Sequence, residues 1–181
     1  IDEGLVGSEM CIRDRLNAQE CNYGLSGGSN NRILRNISKE YYYELDTYDL
    51  AIIQMTYCHR FEWYDGNKKH FRDICPQKFL HYGKDKLANG VKKIDFFHSF
   101  WKSYYDNGMY SDGCGETTEE ICFNSIRSIC KAKNIPLILI SCNTKSKLDF
   151  DYMIKKSHPS RKEQESMIQE LLGIYHQKCI K

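Results

Sequence analysis

Two short apolar runs, "YDLAIIQM" at 48–55 and "IPLILIS" at 135–141, constrain the fold more than any other feature of the chain. Neither alternates polar with apolar residues, so neither suits a strand with one wet face. Short continuous runs of this kind fit strands covered on both sides, as in a parallel sheet. Helical periods surround them. "NNRILRNISKEYYYEL" sets Ile33, Leu34, Ile37, Tyr41 and Leu45 on one face, which predicts a helix over 31–45. "ETTEEICFNSIRSICKAKN" opens with Thr117-x-x-Glu120, the spacing of a capping box, and then lines up Cys122, Ile126, Ile129 and Cys130. After the second run, "HPSRKEQESMIQELLGIYHQK" repeats the capping pattern at Ser160-x-x-Glu163, with Met167, Ile168, Leu171, Leu172 and Tyr175 as its apolar face. "IDFFHSFWKSYY" reads as a further helix with Phe97, Phe100, Trp101 and Tyr104 turned to the core. Between Thr56 and Lys93 the chain reads as one long irregular excursion that packs through Phe61, Trp63, Tyr64, Phe71, Phe79 and Tyr82. Helix, strand, helix, strand, helix without a hairpin signal predicts an α/β sandwich, with 49–55 and 136–141 as parallel neighbours or near neighbours.

The first fifteen residues stand apart. "LVGSEMCIRD" at 5–14 resembles the translation of a transposase-based sequencing adaptor, and no selection on a fold accounts for such a match. Residues 1–15 are therefore expected to be foreign to a single domain at 16–181, whose native start lies further upstream, and Ser8 is set aside as a nucleophile. Taking Arg13, Arg15 and the acids Asp2, Glu3, Glu9 and Asp14 out of 26 basic and 24 acidic residues leaves 24 and 20, a formal charge of +4. That charge is spread along the chain and lacks the basic stripe of a nucleic-acid protein. No stretch reaches the roughly 20 apolar residues of a membrane span. The eight remaining cysteines include no C-x-x-C pair, and only the adjacent Cys58 and His59 hint at a metal ligand set. Reduced, mostly buried thiols in a cytoplasmic protein without metal or cofactor are the expectation.

In open parallel sheets ligands bind beyond the C-terminal ends of the strands. Three stretches fall there. "GLSGGSNN" is a glycine-rich turn running into a helix, where Gly27, Gly28, Ser29 and Asn30 can offer backbone N–H groups to an anion or oxyanion, or merely connect two elements. "QMTYCHRFE" gathers Thr56, His59, Arg60 and Glu62 after the first apolar run, and taken alone reads as a polar loop with a surface ion pair. "SHPSRKE" sets His158 just ahead of a capped helix, a better acid/base position than those of His70, His81, His98 or His176.

In this order the three stretches resemble the SGNH (GDSL-type) hydrolase superfamily, in particular a branch common in phage and environmental sequences. "NYGLSGGSNNRILR" resembles that branch's second block, "YDLAIIQMTYCHRFE" its third, and "HPSRKEQESMIQELL" the histidine that closes the last motif and leads into the final helix. The resemblance implies a three-layer α/β/α sandwich with a flavodoxin-like sheet, here without its first strand. It implies an acyl-ester hydrolase in which a serine attacks and His158 acts as its base. The oxyanion or substrate group would be Gly27, Gly28, Ser29, Asn30, Thr56, Arg60 and Glu62, with Thr56 standing where the family has Asn. The substrate would be a small-molecule or glycan ester. Two departures are plain. The serine block is expected upstream of Asn17, so the polypeptide as written is expected to be inactive. Lys155 occupies the position of the motif's Asp and cannot accept a hydrogen bond from a histidine, so that either Asp149 or Asp151 would substitute for it or a backbone carbonyl would orient the ring. Lys155 and Thr56 at two motif positions favour a competing class, a non-catalytic carbohydrate or small-ligand binder, in which the aromatic excursion at 57–82 would stack on sugar rings. Single-stranded nucleic-acid binding, suggested by the 13 tyrosines, ranks below both, because the aromatic residues fit helical core faces.

Overall fold

The computed structural model describes residues 16–19, 21–24, 28–74, 96–107, 112–155 and 160–179; Gly27, His158, residues 1–15 and residues 75–95 lie outside them. The two apolar runs are paired strands. β1 (Ala51–Met55) lies parallel to β4 (Leu137–Ser141) in the register Ala51↔Leu137 to Met55↔Ser141. A short β5 (Tyr152–Met153), not foreseen in the sequence, pairs parallel with Ile140 and Ser141, so the order is β1–β4–β5. The continuous apolar character of β4 has a simple cause. Leu139 packs into a core with Met55, Cys122, Phe123, Ile126 and Cys130, while Ile138 and Ile140 pack into another with Met167 and Leu171.

The helices α3 (Asp112–Ala132) and α4 (Arg161–Cys179) supply those partners. In α4 the capping box is formed: Glu163 accepts from the Ser160 amide at 2.8 Å, and the Glu163 amide points back to Ser160 Oγ at 3.5 Å. In α3 the expected box is absent. The helix begins five residues earlier, and Thr117 lies inside it with its hydroxyl on the Gly113 carbonyl at 2.9 Å. The end of α3 explains how a helix gives way at once to β4. Asn134 adopts a left-handed φ of 56°, Ile135 N–H reaches the Cys130 carbonyl at 2.9 Å, and Pro136 then prevents further helix.

Three expectations need correction. The helix predicted over 31–45 is regular only as α1 (Asn30–Arg35); a π turn (Asn36–Glu40) and a 3-10 turn (Leu45–Thr47) follow. Tyr41 donates five residues back to Asn36 at 2.8 Å, and its ring stacks on Tyr23 at 3.9 Å, so aromatic contacts displace the helical path. Leu45 still reaches the core by the separate turn. Part of the supposedly irregular excursion is an antiparallel hairpin, β2 (Phe61–Asp65) with β3 (His70–Ile74). Its loop is set by Asp65, whose carboxylate accepts from the Asn67 and Lys68 amides at 3.1 Å, and by Lys69 at φ 54°. On α2 (Phe96–Asp106), Phe100 is 48% exposed instead of core-facing, and Tyr104 lies 6.5 Å from Phe61 of the hairpin.

Candidate functional site

The C-terminal edge of β1 and β4 brings together residues distant in sequence. Asn30, buried at the start of α1, turns its side-chain amide onto the backbone of Thr56, just past β1. Asn30 Oδ1 accepts from Thr56 N–H at 2.7 Å, and Asn30 Nδ2 donates to the Thr56 carbonyl at 3.1 Å. This two-bond match, like one rung of a sheet, fixes the second polar stretch to the first. A turn closed by Arg60 N–H on the Tyr57 carbonyl then returns the Arg60 guanidinium to Thr56 Oγ1 at 2.9 Å and over the Tyr57 ring at 5.3 Å. Because the Thr56 hydroxyl accepts from a cation, its own proton points elsewhere and can be given to an anion.

Ser29 caps α1 and is also fully buried. Its hydroxyl accepts from Arg32 N–H at 3.3 Å, while its own N–H and O–H both donate to Asp73 Oδ1 at 3.0 Å. Asp73 Oδ2 receives Arg32 at 3.1 Å, and one turn on Arg35 forms a bidentate pair with Glu62 at 2.9 Å for each bond. Glu62 and Asp73 are cross-strand partners on the hairpin, so two arginines of α1 meet two facing carboxylates. The side chains of Ser29, Asn30 and Glu62 therefore hold backbone and hairpin in place. Thr56 and Arg60 remain half-buried at the edge, and Gly28, ahead of the Ser29 cap, is half-buried too. Gly27 and His158 lie outside the described residues.

The sequence reading missed several members of this corner. Cys142 follows β4, donates its amide to the Met55 carbonyl at 3.2 Å, and accepts from Gln54 Nε2 on Sγ at 2.7 Å. Burial pushes its thiol pKa up, against the opposing pull of the Gln54 hydrogen bond and the Arg60 charge. Asp73, on which the Ser29 turn depends, is 44 residues away and gave no local signal. Asp151, one of the suggested substitutes for the missing acid, is committed at the other end of the sheet. It precedes β5, accepts from Leu139 N–H at 2.9 Å and pairs with Lys178 at 2.5 Å. The Asp149 carbonyl receives Arg127 at 3.2 Å.

Glu119 of α3 is buried at 2% exposure, with Asn143 Nδ2 at 3.4 Å from one carboxyl oxygen and no hydrogen-bond partner for the other. Burial raises its pKa, hydrogen bonds from Asn143 and Ser146 oppose the rise, and Glu116 adds to it. A carboxyl that holds its proton more tightly when folded contributes stability below the ordinary carboxylate range and loses it as pH climbs through the folded value. The stability difference between Glu119→Gln and the parent chain is therefore expected to grow with pH above the ordinary carboxylate range, by ~1.4 kcal/mol per pH unit, until the folded pKa is passed. Denaturant unfolding of both chains between pH 4 and 8 measures this. A constant difference would show that Glu119 ionises normally in the fold.

No protein-family model, curated protein or solved structure matches this chain. Among the described residues no group of three or more His, Cys, Asp or Glu side chains could hold a metal ion, and no helix is long and apolar enough to cross a membrane.

Proposed function

We propose that the chain derives from an SGNH-type serine hydrolase acting on a small-molecule or glycan ester. The observation that carries this reading is the pair of hydrogen bonds from Asn30 to Thr56. They join the glycine-rich turn and the post-strand loop at the C-terminal edge of a parallel strand pair, where such chemistry is housed. The reading includes a three-layer, flavodoxin-like sandwich, supported by apolar partners on alternate faces of β4. A serine Oγ attacks the ester carbonyl and gives its proton to His158. The Gly28 amide and the Thr56 hydroxyl stabilise the oxyanion, and Arg60 orients that hydroxyl. Collapse expels the alcohol, protonated by His158, and water then releases the acid from the acyl-serine. Ser29, Asn30 and Glu62 hold the turn and hairpin around this centre. A cytoplasmic setting belongs to the same reading and is supported by the seven described cysteines, none of them in a disulfide.

A second reading, a non-catalytic binder of a carbohydrate or other small ligand, is favoured by Lys155 at the acid position together with the commitment of Asp151 to Leu139 and Lys178. One experiment separates the two. The chain joined to its own upstream codons is expected to take one fluorophosphonate label on a serine before residue 16 and to hydrolyse p-nitrophenyl butyrate. Thr56→Val should then lower kcat ~100-fold through loss of one oxyanion donor. Residues 16–181 alone are expected to show no turnover above their His158→Ala variant. Absence of a labelled serine, or turnover indifferent to His158→Ala, leaves the binder.

A further inference from the structure

At the end of the sheet opposite the candidate site, β4 extends past its neighbour. β5 pairs only with Ile140 and Ser141, so on that side Leu137 and Leu139 have no strand partner among the described residues. Two charged side chains take the strand's place. Asp151 Oδ2 accepts from Leu139 N–H at 2.9 Å, Lys178 Nζ donates to the Leu137 carbonyl at 3.2 Å, and the two pair with each other at 2.5 Å. A cavity of about 440 Å³ opens at this ledge, lined by Arg127 and Lys131 of α3, Lys178 of α4, and Asp151. Three cations thus face it against one acid.

We propose that this ledge is a docking edge for a short, acidic, extended peptide of a partner protein, which pairs with Leu137–Leu139 by displacing the Asp151–Lys178 pair. Leu139 N–H and Leu137 C=O point to the same side of the strand, as an added strand requires, and three residues of ledge offer roughly 10 Å of pairing. The two side chains now covering these groups are partly exposed, 39% for Lys178 and 23% for Asp151. An ion pair of that exposure contributes little and yields readily to a competing backbone. Until it does so, it guards an open sheet edge. The charge of the walls selects the occupant. Arg127 and Lys131 take the carboxylates on one face of the peptide, while its alternate, apolar residues lie on the other face along the stem of the displaced Lys178. Arg127 is already oriented for this by its stacking over Phe123 at 4.4 Å. A neutral or basic strand would leave those cations without counter-charge.

The test uses the whole chain and a fluorescein-labelled hexapeptide of alternating Glu and Val, read by fluorescence anisotropy. Saturable binding is expected, weakened at least tenfold by Lys131→Glu, a change at an exposed helical position that circular dichroism should show to be folded. The same peptide with every backbone nitrogen methylated, which has no backbone donor in any register, is expected not to bind, nor is an alternating Lys–Val peptide. A folded Asp151→Asn chain should bind several-fold more tightly, since the displaced pair is weaker. Absence of saturable binding overturns the proposal, as does binding untouched by Lys131→Glu or weakened by Asp151→Asn. Equal binding of the N-methylated peptide also overturns it, by showing an anion site without strand pairing.

Discussion

Replacing Asn30 by alanine is expected to cost about 3 kcal/mol of stability, because it leaves the Thr56 N–H and C=O without the partners they have in the fold, at ~1–3 kcal/mol for each group so stranded. In a domain of this size that corresponds to a fall in Tm of roughly 6–12 °C. Asn30→Asp is a sharper probe. It keeps an oxygen for the Thr56 amide at the position now 2.7 Å away, but sets a carboxylate against the Thr56 carbonyl where Nδ2 now donates at 3.1 Å. It should therefore be at least as damaging as alanine although almost isosteric. Thermal unfolding of the two variants measures both effects. A loss below about 1 kcal/mol for each would mean that the amide is not the tie between α1 and β1.

Periodicity was legible wherever one element packs on both sides or on one. β4 was readable because a strand covered on both faces needs an unbroken apolar run, and β1 because its run is as continuous, although Ile52 on its second face is 37% exposed; α4 was readable because Ser160 and Glu163 satisfy each other's amides locally. Thr117-x-x-Glu120 misled for a related reason. The same four-residue pattern sits equally well within a helix, where the threonine hydroxyl turns back to a carbonyl. The hairpin left one trace, Asp65-Gly66. Its strands carry too little alternation to be noticed, since Trp63 and Tyr64, on opposite faces, are both exposed. At the candidate site, the sequence could place Asn30 and Thr56 on one edge of a parallel sheet. It could not reveal that they are bonded, or that Ser29 leans on Asp73, because those are contacts across 26 and 44 residues. Cys142 was overlooked for a different reason. A cysteine one residue beyond an apolar strand looks like part of the core, and only the pairing with β1 brings it to Gln54 and into the reach of Arg60.

The pairing of Arg35 with Glu62 should be the most costly single contact to break from one side. The Glu62 carboxylate is 4% exposed and directly opposite Asp73 on the hairpin, so it needs the guanidinium both as a counter-ion and as a separator of like charges. Arg35→Ala is expected to lose about 4 kcal/mol, in the range seen when one partner of a buried pair is removed. Glu62→Ala should lose somewhat less, because Arg35 keeps its ion pair with Glu40 and its position over the Phe71 ring at 4.5 Å. The double variant should be far less damaged than the sum of the singles, by at least ~2 kcal/mol, since no charge is then left buried and alone. Arg35→Met with Glu62→Leu should restore most of the original stability, as packed apolar residues replace the pair. Urea unfolding of the four chains provides the cycle. Additive losses would show that the hairpin is held on α1 by Arg32 and Asp73, with Arg35 and Glu62 only adjacent.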